Sequence, residues 1–295
     1  MAEPVVSIVI PLYNARDVIQ ETIRSALAQT YREYEIIIID DGSTDGSGDL
    51  VVQFGDRVRY LPQPNGGVAQ ARNHGIAAAR GRYIALLDHD DLWDPEKLAK
   101  QVTILDAQPA IGMVVTDVAH LDRAGRPMHE IGPASQPQHE FARLFVQGFV
   151  PTPSATLIRK AVLESVGGFD EQFNSAGMDD HELWTRIAAA TTIAGIPEPL
   201  TYHRNRDIKP PGIALGHRPL LIEKLMRRVG ADTEKRRYLQ RERAFYLADQ
   251  GKHLIKDGRA REGRILLLHG FLLSLGEGKS AKAAWRCLMR LVRSI

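Results

Sequence analysis

Five aspartates close two apolar runs: Asp40 and Asp41 follow Glu35–Ile39, and Asp88, Asp90 and Asp91 follow Arg82–Leu87. Carboxylates gathered on one rim repel each other, and the usual remedy is a divalent cation bound through oxygen together with phosphates that it bridges. In Asp88-His89-Asp90 the two acids are two residues apart on an extended segment, so they point to one side and can hold one Mg²⁺ or Mn²⁺. His89 points the other way. The plainer alternative is a polar strand end leading into a helix. There is no Gly-x-Gly-x-x-Gly and no complete Gly-x-x-x-x-Gly-Lys-Ser/Thr cradle, so phosphates would be held by metal and by cations such as Arg72 instead of a glycine loop. In Pro11-Leu12-Tyr13-Asn14 the tyrosine suits stacking on a flat base, with Asp41 accepting from a base or ribose group; a half-buried core tyrosine is the alternative.

These residues need strand ends to carry them. Val5–Pro11 is a β-branched run that ends at a proline, and the apolar run before Asp40 is what a parallel strand covered on both faces looks like. Helices are expected over 17–29, over 68–79 behind Gly66-Gly67, and from Pro95 to about 107, with strands at 57–61 and 82–88. This βαβα alternation predicts a mostly parallel sheet flanked by helices, whose ligands bind beyond the carboxyl ends of the strands. Further on, strands are expected at 111–118, 154–159 and 191–196 and a helix at 179–190. Residues 122–138 read as a surface loop, and four prolines argue against regular structure over 197–216. Beyond that the chain reads as helical, broken at Gly251, Gly258 and Gly276-Glu277-Gly278.

The motifs Val6-Ser-Ile-Val-Ile-Pro-Leu-Tyr-Asn14, Ile38-Ile-Asp-Asp-Gly-Ser-Thr-Asp45, Asn65-Gly-Gly67 with Ala71-Arg-Asn73, and Leu86-Leu-Asp-His-Asp-Asp91 occur in an order and spacing that resembles the family 2 glycosyltransferases of the GT-A fold. The resemblance extends through about residue 205 and implies an inverting enzyme of the bacterial cell-envelope or exopolysaccharide type. By it, Pro11, Tyr13 and Asp41 cradle the nucleoside of a nucleotide sugar, Arg72 lies close to it, and Asp88 and Asp90 hold Mn²⁺ or Mg²⁺ on the donor diphosphate. The late acidic motif of the family appears as Asp179-Asp180-His181-Glu182-Leu183-Trp184, where Asp180 matches the general base; Asp179 stands where Glu is commoner. An acidic pair would also favour a helix N-terminus. Where the family often has histidine after the next strand, this chain has Arg206, a candidate phosphate clamp. Asp40, Asp91, Asp179 and Arg206 complete the candidate site residues. A UDP-sugar is the favoured donor and a saccharide or lipid-linked glycan the acceptor. Acceptor recognition is expected over 151–168 with Phe169 and Asp170, and in the loop after Tyr202.

The whole chain bounds this reading. It has 295 residues, 44% hydrophobic and 25% charged, and one cysteine, Cys287, so neither a disulfide framework nor a zinc site is indicated. No run approaches the roughly 20 apolar residues of a membrane span, and the N-terminus has no signal-like pattern; a cytoplasmic enzyme is expected, at most peripheral to the inner face of the membrane. Residues 1–217 carry 19 Lys/Arg against 28 Asp/Glu, and 218–295 carry 19 against 8. The two parts have different partners or surfaces; taken with the resemblance, this division implies a GT-A domain over 1–217, with a nucleotide-sugar half at 1–110 and an acceptor half at 111–217, followed by a basic helical region at 218–295. Within 282–295, Trp285, Leu288, Met289, Val292 and Ile295 recur at helical spacing beside Lys282, Arg286, Arg290 and Arg293, which suits either packing on preceding helices or an anionic membrane surface. No nucleic-acid-binding signature is present. The competing readings are a catalytically silent nucleotide-sugar-binding protein and a metal-dependent nucleotidyltransferase.

Overall fold

A computed structural model of the chain describes residues 3–121, 127–131, 150, 152–176, 179–204, 212–229 and 232–275. Arg206, Pro151 and residues 282–295 lie outside them, so the expectations attached to those positions are not addressed by the fold.

The chain forms two compact units, Met1–Pro210 and Pro211–Ile295. Among the described residues the first is built on a sheet of nine strands: β1 (Val6–Leu12), β2 (Tyr34–Asp40), β3 (Arg59–Pro62), β4 (Tyr83–Leu86), β5 (Leu92–Trp93), β6 (Ile111–Leu121), β7 (Pro127–Ile131), β8 (Thr156–Arg159) and β9 (Thr192–Arg204). Their order is β3-β2-β1-β4-β8-β6-β9-β5, with β7 added to β6. β3, β2, β1 and β4 are mutually parallel, as the alternation of apolar runs predicts. Beyond β4 the sheet is mixed: β8 runs antiparallel between β4 and β6, while β6 and β9 are parallel.

Helices cover both faces, which is why β1 and β2 are apolar at consecutive positions. Ile8, Ile10, Ile36 and Ile38 join one core with Ile19 and Ile23 of helix α1 (Ile19–Leu27) and Leu98 and Val102 of α4 (Lys97–Ala107). Val9, Ile37 and Ile39 join the other, with Ala69 and Ile76 of α3 (Val68–Ala78) and Leu183, Trp184 and Ile187 of α6 (Asp179–Ala190). Each such side chain, taken fully out of water, contributes about 1.5–3 kcal/mol before chain entropy is charged against it. Shorter helices α2 (Ser47–Val52) and α5 (Lys160–Val166) complete this unit.

Three expectations are corrected. The prolines at 197 and 199 do not end regular structure: β9 runs through them, because the β6 register jumps from Thr116–Ile196 to Asp117–Pro199. They sit at a bulge, where a missing N–H breaks no ladder bond. Within the stretch expected to be loop, Pro127–Ile131 pairs antiparallel with β6, its proline at the first position, where strands tolerate one. Gly251 does not break a helix either. It lies inside α8 (Thr233–Lys256), where a Cβ would stand 2.6 Å from the Gly263 carbonyl oxygen of α9 (Ala260–Leu275); glycine is there for close helix approach. Gly258, at φ 82°, does end α8. The second unit also holds α7 (Gly212–Arg228). No helix among the described residues is long and apolar enough to cross a membrane.

Gly81 shows how tightly β1 is held. A Cβ there would lie 2.6 Å from the Ser7 nitrogen and 2.8 Å from the Val6 carbonyl carbon, and Gly81 N–H donates to Ser7 Oγ at 2.9 Å. Main chain of a central strand cannot move aside. Gly81→Ala is therefore expected to destabilise by about 1–3 kcal/mol, read as a lower Tm in thermal denaturation; an unchanged Tm would contradict this packing.

Candidate functional site

The site is assembled where β1, β2 and β4 end. After β1 the chain turns through Asn14, a non-glycine residue at φ 47°. Asparagine tolerates this left-handed conformation when its side chain bonds locally. Here its Oδ1 accepts from Thr44 N–H at 2.8 Å, its own N–H donates to Ser43 Oγ at 3.0 Å, and Arg16 N–H donates to Asp45 at 2.9 Å. The loops after β1 and β2 are thus laced into one rim, and Tyr13 projects from it, 48% exposed. Pro11 lies within β1, and its carbonyl oxygen meets His89 Nδ1 at 3.1 Å.

Asp40 and Asp41 do different things from those their adjacency suggests. Asp40 accepts from Ser43 N–H at 2.9 Å and Tyr60 Oη at 2.5 Å, bracing the turn and β3. Asp41 accepts from Gln63 Nε2 at 2.7 Å and from the N–H groups of Gly66 and Gly67 at 2.9 and 2.7 Å. The Asn65-Gly66-Gly67 motif is therefore shaped by Asp41, and Gly67, at φ 89°, opens α3. This use of Asp41 was not legible in the sequence.

Arg72, one turn into α3, is nine-tenths buried. Its Nη1 donates to Asp179 at 2.7 Å and its Nη2 to Asp88 at 2.6 Å, and its guanidinium lies 5.1 Å from the Phe169 ring. Arg72, expected from the sequence as a cation near the nucleoside and its phosphates, bridges the end of β4 and the start of α6. Its Nε has no hydrogen-bond partner among the described residues. Phe169, expected at an acceptor surface, is core: 3% exposed, packed edge-on to Trp184, with its main chain held at both N–H and C=O by the Asn73 amide.

Burial alone would raise the Asp88 carboxyl, but Arg72 outweighs it and holds the group below the usual carboxylate range. Asp91 turns inward and is fully buried. It accepts from Arg204 N–H at 3.1 Å and Thr152 Oγ1 at 3.3 Å, while burial, then the charges of Asp88 and Asp90, push its pKa well up. That makes it an internal brace, not a cation ligand facing the rim. Ser154 completes the brace, accepting from Asp88 N–H at 3.0 Å through Oγ and from Trp93 Nε1 at 2.8 Å through its carbonyl. Neither Thr152 nor Ser154 carries a sequence signal, since both merely precede an apolar strand. Arg204 also donates to the Asp90 carbonyl at 3.2 Å and to Glu21 at 2.7 Å.

Asp179 and Asp180 open α6. Asp179 is buried against Arg72; Asp180 is half-buried and accepts from His181 N–H at 2.6 Å. Burial, then the charge of Asp179, raises Asp180 to about 7. Asp88, Asp179 and Asp180 thus stand near one buried cation, Arg72, an excess of negative charge that suits a divalent ion. Among the described residues no three acidic, histidine or cysteine side chains are grouped to hold a metal by themselves. Asp88 and Asp90 are the two carboxylates that could hold a Mg²⁺-like ion, which is commonly bound through one or two carboxylates with phosphates and water completing its shell.

The model of the family described as glycosyl transferase family 2 matches residues 7–167, from β1 to the end of α5. The chain belongs to glycosyl transferase family 2. An uncharacterized glycosyltransferase of Rickettsia typhi is 31% identical over 218 residues, 72% of this chain and 67% of the relative. The chain spans between 28% and 60% of the length of four other Rickettsia relatives. Among solved structures, Staphylococcus aureus TarS in complex with UDP-GlcNAc matches with a TM-score of 0.67 at 17% identity, covering 91% of this chain and 81% of that one. The mannosyltransferase PcManGT of Pyrobaculum calidifontis, with GDP-Man and Mn²⁺, matches at 0.60 and 19%, covering 99% and 85%. At these identities what is shared is the fold, GT-A, followed by C-terminal helices. This family 2 glycosyltransferase domain holds Pro11, Tyr13, Asp41, Arg72, Asp88 and Asp90 inside the matched span; Asp179 and Asp180 lie beyond it.

Proposed function

We propose that the chain is an inverting glycosyltransferase that moves a sugar from a nucleotide diphosphate sugar, a UDP-sugar by preference, to a hydroxyl of a saccharide or lipid-linked glycan of the bacterial envelope. The observation that carries this reading is Asp180, a half-buried carboxyl raised to about 7 and tied through Asp179 and Arg72 to Asp88. Residues 1–110 would hold the donor and 111–217 the acceptor. Tyr13 stacks on the base beside Pro11, and Asp41 shapes the Gly66-Gly67 loop next to the nucleoside, with a remaining lone pair for it. Asp88 and Asp90 would hold Mn²⁺ or Mg²⁺, which supplies charge neutralisation for the departing diphosphate. Asp180 takes the proton of the acceptor hydroxyl as its oxygen bonds to the anomeric carbon and the bond to the diphosphate oxygen breaks on the opposite face. One such displacement inverts the centre. Positioned general-base catalysis contributes about 10²–10⁴-fold. Peripheral contact with an anionic membrane through the C-terminal helices would bring a lipid-linked acceptor within reach.

The test is a panel of UDP-, GDP- and dTDP-sugars, followed by release of free nucleoside diphosphate with Mn²⁺ or Mg²⁺ present. Turnover of one donor, lost on chelation and restored by the metal, is expected. Asp90→Ala should raise the metal concentration needed for half-maximal rate at least about tenfold, the lower end of what losing even a hydrogen-bond partner of a ligand costs. A catalytically silent protein would bind a donor and turn over none. Pyrophosphate release from a nucleoside triphosphate and sugar phosphate would identify a nucleotidyltransferase instead.

A further inference from the structure

Helix α9 is apolar on two opposite sides. One side is closed against α8: a Cβ on Gly263 would stand 2.4 Å from the Gly251 carbonyl oxygen and one on Gly270 2.7 Å from that of Ala244, and Leu267 between them is buried. The other side carries Ile265, Leu268 and Leu272, spaced three and four residues apart and hence in one row along the helix. They are 49%, 46% and 54% exposed. Single exposed apolar side chains are ordinary, but a row of three on a helix whose other face is already covered marks an interaction surface. The charged residues sharing that side are Arg261 and Arg264, each one turn before an apolar member of the row. Glu262 stands at its margin and is ion-paired with Arg259 at 2.6 Å. The row is therefore bordered by positive charge, within a region holding 19 Lys/Arg against 8 Asp/Glu. A second copy of the chain would bring the same positive excess to the same face, whereas an anionic surface complements it.

We propose that Ile265, Leu268 and Leu272 are the docking surface for an anionic lipid bilayer, the three side chains entering the boundary of the acyl region while Arg261 and Arg264 meet the headgroups. This rests on the reading that the enzyme works at a membrane and assigns the contact to α9, not to residues 282–295. Each arginine near an anionic surface contributes about fivefold to partitioning, the factor that about 1 kcal/mol represents.

Co-sedimentation of the full chain with phosphatidylcholine vesicles, with and without phosphatidylglycerol, tests it. Binding is expected only with phosphatidylglycerol, falling at least about tenfold in Ile265→Ser/Leu268→Ser/Leu272→Ser and in Arg261→Glu/Arg264→Glu; the second variant leaves the apolar row intact, so misfolding of the first does not decide the matter. Equal binding by both variants would overturn the assignment, the contact then lying elsewhere, in 282–295 for instance. Failure of wild type to pellet with either vesicle overturns it too. So does a wild-type dimer by light scattering that the triple variant dissolves. Nucleoside diphosphate release measured without vesicles reports separately on the catalytic reading: it should be unchanged in both variants, and its loss in the triple variant would mean that the row covers part of the enzyme instead.

Discussion

Asp180→Asn is expected to lower kcat by about 10²–10⁴-fold while the Kd for the sugar nucleotide changes little, because the amide keeps the shape of the carboxylate and loses only its ability to take a proton. The wild-type pH profile should carry the same signature. Asp180 is inactive as a base when protonated, and burial and Asp179 set its pKa at about 7. The rate should therefore be low at acid pH, rise through about 7 and level off above it. A rising limb at the pKa of an ordinary carboxylate, or wild-type turnover by Asp180→Asn, would remove the residue from the proton-transfer role. Donor binding measured by calorimetry on the same variant separates a lost base from a collapsed site.

Arg72→Leu is expected to be the most destabilising single change at the site. Asp88 and Asp179 would be left without their shared cation, and breaking a buried ion pair by removing one partner costs about 3–5 kcal/mol. The side chains of Arg72, Asp179 and Asp88 are 6%, 6% and 24% exposed, so water offers little compensation. Arg72→Lys should fall between wild type and the leucine variant, since one ammonium does not span two carboxylates as a guanidinium fork does. A second readout follows from charge. Arg72 lowers the pKa of Asp180, so in whatever Arg72→Lys or Arg72→Leu protein folds with its cation displaced, the rising limb of the pH profile should move to higher pH. An unchanged Tm for Arg72→Leu would show that the bridge contributes nothing to stability.

The parallel half of the fold was legible because both faces of β1 and β2 are covered and their sequences are apolar without alternation. The continuation of β9 beyond Ile196 was not, since proline argues against a strand unless one knows that its partner steps past a bulge. The site divides along the same line. As candidates, Asp88 and Asp90 stand out by spacing, and Asp180 by its motif. By contrast, the work of Asp41, Asp91 and Arg72 depends on which neighbours the fold brings to them: Gly66 and Gly67 for Asp41, Arg204 and Thr152 for Asp91, and Asp179, 107 residues away, for Arg72. Side-chain identity fixes a charge and a reach; only the path of the chain decides what answers it.

The antiparallel strand β8 enters the sheet between two strands made long before it, pairing Tyr83 with Arg159 on one side and Met113 with Ile158 on the other. During synthesis, the facing edges of β4 and β6 emerge from the ribosome with their main-chain donors and acceptors open, and they stay open until residue 159 has cleared the exit tunnel. Open edges of this kind template pairing with other chains. The nascent polypeptide thus passes through an interval in which its most apolar strands are joined but the sheet is unfinished. Holdase chaperones acting on ribosome-bound chains should matter most once β6 but not yet β8 has emerged from the tunnel, and released truncations ending between β6 and β8 should aggregate where longer ones remain in solution.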